Sequence, residues 1–398
     1  MEKAISKADK IAKIIYIVVL AVYAGALAYL FYHQLLVLKY GPEVMFESDT
    51  AAHVSFAVYS GYYHSLAAFI YLFFVKVFGL DAGIVLITIT LTVATVLAIP
   101  FTARLINEFV KRTDYTIPGW AVLLISFLAN IHMAFYMAAA NKQHYIGYQC
   151  ANMWHNSTYI FMRLFAVITL ITFLKIYDGY EEGIKFSKWL SFTLLLTITT
   201  GFKASFLTVF APVLAILLLR DLLYGEKFKR VFGMALSVVL PIAVMIVQSI
   251  VMSGTDGSNG YRIKPFAGLS MRGDHPKVTL VLSVAFPLLI FFIHINDFYK
   301  DKFFFWTWVL WAVGFLEVFL LIETGERALD SNFMWGYSIS LFFLFLASMV
   351  KLVRDLINPG TGKVRKALCY VAVPVLFWHV ISGIWYFALL LTGVTYFV

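Results

Sequence analysis

Long apolar runs alternate with short polar punctuation along almost the whole chain. The runs fall near 11–32, 65–78, 82–103, 118–139, 157–176, 189–200, 204–220, 231–252, 278–295, 303–322, 333–350 and 368–392. A helix needs about 20 apolar residues to cross the hydrocarbon core of a bilayer, and stretches of that length recur throughout. Two places depart from the pattern. The 65–78 run is short for a crossing and predicts a helix lying in the outer interface. The runs 189–200 and 204–220 are together too long for one helix. Between them Gly201-Phe202-Lys203 predicts two short helices meeting near the outer leaflet, with Lys203 at that surface.

Counted this way, the chain predicts an all-α, polytopic transmembrane helical bundle of about 11 spans. It predicts one membrane domain over 1–398, with a first extracytoplasmic loop over 34–81 that carries juxtamembrane helices. The 11–32 run is long and lacks a small-residue cleavage site, so it reads as a retained anchor.

Composition points the same way. The chain is 62% hydrophobic and 13% charged, far from the balance of a soluble domain. The net charge of +9 could suggest a nucleic-acid partner, but its distribution argues against one. With 65–78 kept in the interface, 21 of the 31 Lys and Arg fall on the N-terminal side of the membrane; letting that run span puts the majority on the other side. The positive-inside rule therefore predicts a cytoplasmic N-terminus in a plasma membrane, no nucleic acid, and a lipid bilayer as the first partner. Cys150 and Cys369 have no metal-ligand spacing. No Walker loop, zincin motif or nucleophile elbow occurs, so nothing supports ATP hydrolysis, a zinc site or a serine hydrolase.

On this topology the polar chemistry collects outside, in four segments. The first is Glu47, Asp49 and His53, with His64 beyond. A carboxylate there suits a general base that takes the proton of an acceptor hydroxyl; the plainer role for Asp49 is to cap the helix that follows. The second runs from Asn152 through Trp154, His155, Asn156 and Tyr159 to Arg163. Trp154, His155 and Asn156 have the groups to position a sugar, or else serve as an interfacial anchor and a helix cap. Asn156-Ser157-Thr158 also matches a glycosylation sequon. Asn156, Tyr159 and Arg163 share one helix face. An arginine inside an apolar helix costs about 2.5 kcal/mol or more unless paired or hydrated. It would hold a phosphate bidentately, or it would pair with Glu317 or Glu323 to join helices. The third is Lys203, placed to meet a phosphate or to snorkel. The fourth is Glu323, Glu326 and Arg327, then Asn332 and Trp335, where Arg327 either binds phosphate or closes a salt-bridged turn. The basic residues Arg262, Lys264, Arg272 and Lys277 read as mostly solvated.

The string Glu47-x-Asp49-x3-His53, then Gly61-Tyr62-Tyr63-His64-Ser65-Leu66 and an apolar run ending at Phe78-Gly79, resembles the first loop of GT-C-type integral membrane glycosyltransferases. The resemblance is architectural and covers the first 80 or so residues best. The acids here are separated by Ser48 rather than adjacent. The resemblance implies a glycosyltransferase whose donor is a polyprenyl-phosphate-linked sugar and whose acceptor is an extracytoplasmic glycan or lipid. It implies inversion with the loop acid as base, Asp49 before Glu47, and no cofactor, though a divalent metal stays open. Arg163, Lys203 and Arg327 become candidates for the lipid-phosphate clamp, with His53, His64, Trp154, His155, Asn156, Tyr159, Glu323 and Asn332 around the substrate. The same polar features also fit a transporter or flippase of a lipid-linked or anionic solute, or a polymerase or ligase of surface polysaccharide.

Overall fold

The computed structural model describes residues 7–41, 46, 48–61, 63–113, 115–137, 150–252, 260–270, 275–325 and 330–393. Helix α1 (Lys7–Tyr40) is followed by the short α2 (Asp49–Tyr59). Helix α3 (Leu66–Val110) breaks at Gly79, whose φ of 81° and ψ of 168° belong to backbone that only glycine adopts readily. The break falls where the 65–78 run ends, so its helix is separate in direction from the long one after it. The loop begins later than residue 34, because α1 continues to Tyr40. Lys39 at the end of α1 meets Asp81 at 2.9 Å, which puts the restart of α3 level with the end of α1.

Helix α4 (Gly119–Ala129) is only 11 residues long, against the expected crossing over 118–139. The reason lies in its partner. The Asn130 side chain donates to the Ser126 carbonyl (2.9 Å), and the backbone beyond pairs elsewhere. Met133 N–H donates to the His379 carbonyl (3.1 Å), and the Met133 carbonyl lies 2.8 Å from His379 Nδ1.

Helices α5 (Ser157–Tyr177), α6 (Phe186–Phe202) and α7 (Ser205–Leu223) follow, with the α6–α7 break at Lys203 and Ala204. Helices α8 (Phe228–Ala235) and α9 (Val239–Met252) belong to one apolar stretch of 25 residues. A strand β1 (Gly260–Ile263) and the single turn α10 (Ala267–Ser270) precede α11 (Pro276–Ser283) and α12 (Ala285–Ile293), which are bent by 56°. Then come α13 (Lys302–Leu320), β2 (Leu321–Thr324), α14 (Phe333–Ile357) and α15 (Lys363–Leu391). Strands β1 and β2 pair antiparallel, Gly260 opposite Thr324, adding a small ribbon to an otherwise helical molecule.

Among the described residues, eight helices are long and apolar enough to cross a membrane, or nine if the bent α11–α12 pair is one span. Against the expected eleven, α4 and the 17-residue α6 fall short of that length. The chain packs around α14: 94% of its apolar window is buried, against 17% for the 228–252 stretch at the periphery.

Two polar clusters form at opposite ends of the bundle, apart from the polar groups buried inside it. One end joins the basic segments: Arg112 with Asp178, Lys351 with Asp301 (3.1 Å), Arg365 with Asp297 (3.1 Å), and Arg354 over the Tyr115 ring. Asp9 near the start of α1 accepts from Trp120 N–H there (2.9 Å). The other end joins the start of α2, the start of α5, the α6–α7 break and the start of α14.

Candidate functional site

The site is assembled from the start of α2 outward. Ser48 is the extended N-cap of α2, and its hydroxyl accepts from Thr50 N–H at 2.9 Å. The cap is therefore Ser48, and Asp49, as the first helical residue, keeps its carboxylate for other partners. Thr50 ties this turn to the segment before α5 twice: its N–H (3.2 Å) and its hydroxyl (3.1 Å) both donate to the His155 carbonyl. That anchor sets Asp49 against α5.

Asn156 Nδ2 donates to Asp49 Oδ2 at 2.8 Å, and His155 Nε2 lies 3.9 Å from the same oxygen. The carboxylate is 30% exposed, whereas the His155 ring is fully buried. Asn156 also caps α5, its Oδ1 accepting from Tyr159 N–H (3.0 Å) and the Thr158 hydroxyl (2.8 Å). This buried, fully engaged amide is a poor sugar acceptor, whatever its sequon. His53, one turn along α2, lies 3.3 Å from Ser157 Oγ, and its ring sits 5.4 Å from that of His64. Lys203 Nζ reaches Thr158 Oγ1 (3.4 Å) and stands 4.4 Å above the centre of the Trp335 ring.

Burial acts to raise the Asp49 pKa. The charges of His155 and His53, the Asn156 amide and Lys203 outweigh it, so the carboxyl is held below its ordinary range. Burial drives the His155 imidazole the other way, down to about 4, despite Asp49 beside it. At neutral pH the pair is an anion next to a neutral ring.

Asp49, His53, His64, His155, Asn156 and Lys203 thus come together, with Trp335 as a wall. Glu323 is buried in β2 and grips the start of α14, accepting from Asn332 N–H (2.9 Å) and Nδ2 (2.8 Å). That contact positions Trp335 one turn later. Trp154 lies inside the bundle: it is 1% exposed, donates to the Tyr23 hydroxyl (2.7 Å) and packs on Phe387. Tyr159 is buried and donates to the Ala151 carbonyl (2.7 Å). Arg163 pairs with neither Glu317 nor Glu323; it is 1% exposed, bonded to Asn152 and set over the Phe342 ring. Glu317 instead faces Thr208. Glu47, Glu326, Arg327 and Arg272 lie outside the described residues. Arg262 and Lys264 are exposed, as expected for solvated cations, and Lys277 stands over the Phe266 ring at 5.8 Å.

Sequence reasoning missed Ser48 as the cap and Thr50 as the anchor. A Ser two residues before a Thr at a helix start is a legible capping signal; the reach of Thr50 to a carbonyl 105 residues away is not.

A model of the family described as Superinfection exclusion protein A matches residues 262–339. The matched stretch runs from β1 into α14 and contains Glu323, Asn332 and Trp335, but not Asp49, Asn156 or Lys203. No curated protein matches the chain. With eight helices of spanning length among its described residues, the chain is a membrane protein that carries, over 262–339, a stretch similar to that family.

Proposed function

We propose that the protein is a membrane glycosyltransferase that moves a sugar from a polyprenyl-phosphate-linked donor to an acceptor hydroxyl, with Asp49 as the base. The observation that carries this reading is the Asp49 carboxylate itself: partly exposed, fixed by Asn156, and flanked by His155, His53 and Lys203 at one end of the bundle. In this mechanism the acceptor oxygen attacks C1 of the sugar as its proton passes to Asp49. The bond from C1 to the phosphate oxygen breaks, and polyprenyl phosphate leaves with the electron pair. A carboxylate with a depressed pKa is a weak base, so it takes the proton only once bond formation has acidified the hydroxyl. Lys203, held between Thr158 and Trp335, is the nearest described cation suited to the charge growing on the leaving phosphate.

The match over 262–339 favours a role in superinfection exclusion. The two readings are compatible, since glycosylation of a surface polymer changes what an incoming particle meets.

The test is Asp49→Asn in purified protein. It leaves donor binding and the melting temperature near the wild-type values and lowers sugar transfer about 100-fold or more. Transfer at the wild-type rate would remove Asp49 from the chemistry. Cells expressing the two forms, challenged with a second infection, then show whether exclusion depends on transfer.

A further inference from the structure

Arg163 lies two turns into α5, in the interior rather than at the Asp49 end. A guanidinium does not lose its proton in a protein, so it cannot escape burial by becoming neutral. Its neighbours are unusual for a buried cation. It donates to the Asn152 side-chain oxygen, and its Cζ stands 5.8 Å from the centre of the Phe342 ring. Its Nε has no hydrogen-bond partner. Among the described residues no carboxylate forms an ion pair with it; the groups within electrostatic reach are the phenols of Tyr23 and Tyr159 and the imidazole of His132.

Those neighbours add donors rather than negative charge. Tyr23 accepts the Trp154 indole N–H at 2.7 Å, which leaves its own hydroxyl proton to give. His132 is fully buried and stacked on Phe345 with ring centres 4.1 Å apart, and its ring faces the Ala129 and Leu128 carbonyls rather than standing free. Asn152 is fixed in turn, its amide donating to the Ala129 and His132 carbonyls, so its oxygen holds the guanidinium in one orientation. One neutral amide and one ring do not compensate a positive charge taken out of water.

We propose that Arg163, with the Tyr23 hydroxyl as a further donor and Asn152 as the positioning residue, binds a small anion inside the bundle. The ligand is a halide or a phosphate, recognised by charge and by N–H and O–H donors. The site stands whether or not Asp49 performs glycosyl transfer, because none of its residues belongs to the Asp49 group.

The experiment compares thermal unfolding of the detergent-solubilised protein in sodium chloride, bromide or phosphate with sodium gluconate at equal ionic strength. Wild type shows a saturable rise in midpoint with at least one small anion, and Arg163→Gln loses it. Equal midpoints in gluconate and in every small anion, or the same anion dependence in the variant, would overturn the site. Should Arg163→Gln not fold, chloride NMR line broadening on the wild-type protein decides. Saturable broadening displaced by bromide supports the site, and none up to molar chloride, together with no phosphate-dependent stabilisation, ends it. Displacement by polyprenyl phosphate but not by inorganic phosphate assigns the site to the lipid; displacement by inorganic phosphate assigns it to a free anion.

Discussion

At Asp49 a few ångströms of placement decide the chemistry. Asn156 and three potential cations hold the carboxyl below its ordinary 3.8, so it is ionised throughout the neutral range. A depressed carboxyl pKa contributes stability that is present above 3.8 and lost as pH falls below it. The rate of sugar transfer should therefore show no inflection from this group between pH 5 and 8, which a pH–rate profile checks; a rate-controlling carboxyl titrating near 6 would contradict the assignment. His155 behaves differently. Its imidazole is neutral in the fold but takes a proton in the unfolded chain near 6.5, so its contribution to stability is full above 6.5 and falls away toward pH 4. Melting temperatures measured across that interval should decline, and His155→Gln should flatten the decline. The residue types of this group are legible in the chain, since Asp49, His53, His155 and Asn156 are polar residues next to apolar runs. That Asp49 and Asn156 share a hydrogen bond is not legible, because 107 residues separate them.

Among the elements, the most informative are the two whose lengths are set by backbone geometry. In α3, Gly79 occupies a conformation open to glycine and little else, with nothing within 4 Å of where a Cβ would stand. Gly79→Ala should cost about 1–3 kcal/mol through strain alone, measured as a lower unfolding midpoint without any new clash. The run length of 65–78 already announced a separate helix, because a 14-residue apolar segment does not reach across a bilayer. The end of α4 was not announced. Its apolar run continues past residue 130, but the backbone of 131–133 lies against α15, where a Cβ on Gly383 would collide with the Ile131 carbonyl. Backbone cannot swing aside as a flexible side chain can, so Gly383→Ala should destabilise by about 1–3 kcal/mol or misplace α15. Folded yield in detergent would show it, and a wild-type yield would mean that this contact is looser than described.

The whole molecule is a bundle with two polar ends of different character. At the basic end, Lys351 and Asp301 are 2% and 7% exposed and 3.1 Å apart, and His294 sits 2.9 Å from Asp355. Removing one partner of a buried pair strands the other, so Lys351→Ala should cost about 3–5 kcal/mol. The double variant Lys351→Met with Asp301→Leu should recover part of that. The remainder reflects the cap that Asp301 gives to Phe304 N–H at the start of α13 (3.1 Å). Unfolding midpoints of the single and double variants check both.

What the chain determines by itself follows from the bilayer. Apolar length and the polar interruption around Lys203 specify an all-helical membrane protein, because the hydrophobic effect and the satisfaction of backbone hydrogen bonds act on local sequence. Tertiary structure alone decided that α14 is the central helix, that α4 stops short, and that Arg163 turns away from Asp49 into the interior. Those outcomes rest on contacts between segments far apart in the chain, where helix faces of similar apolar character compete and only the packed arrangement selects among them.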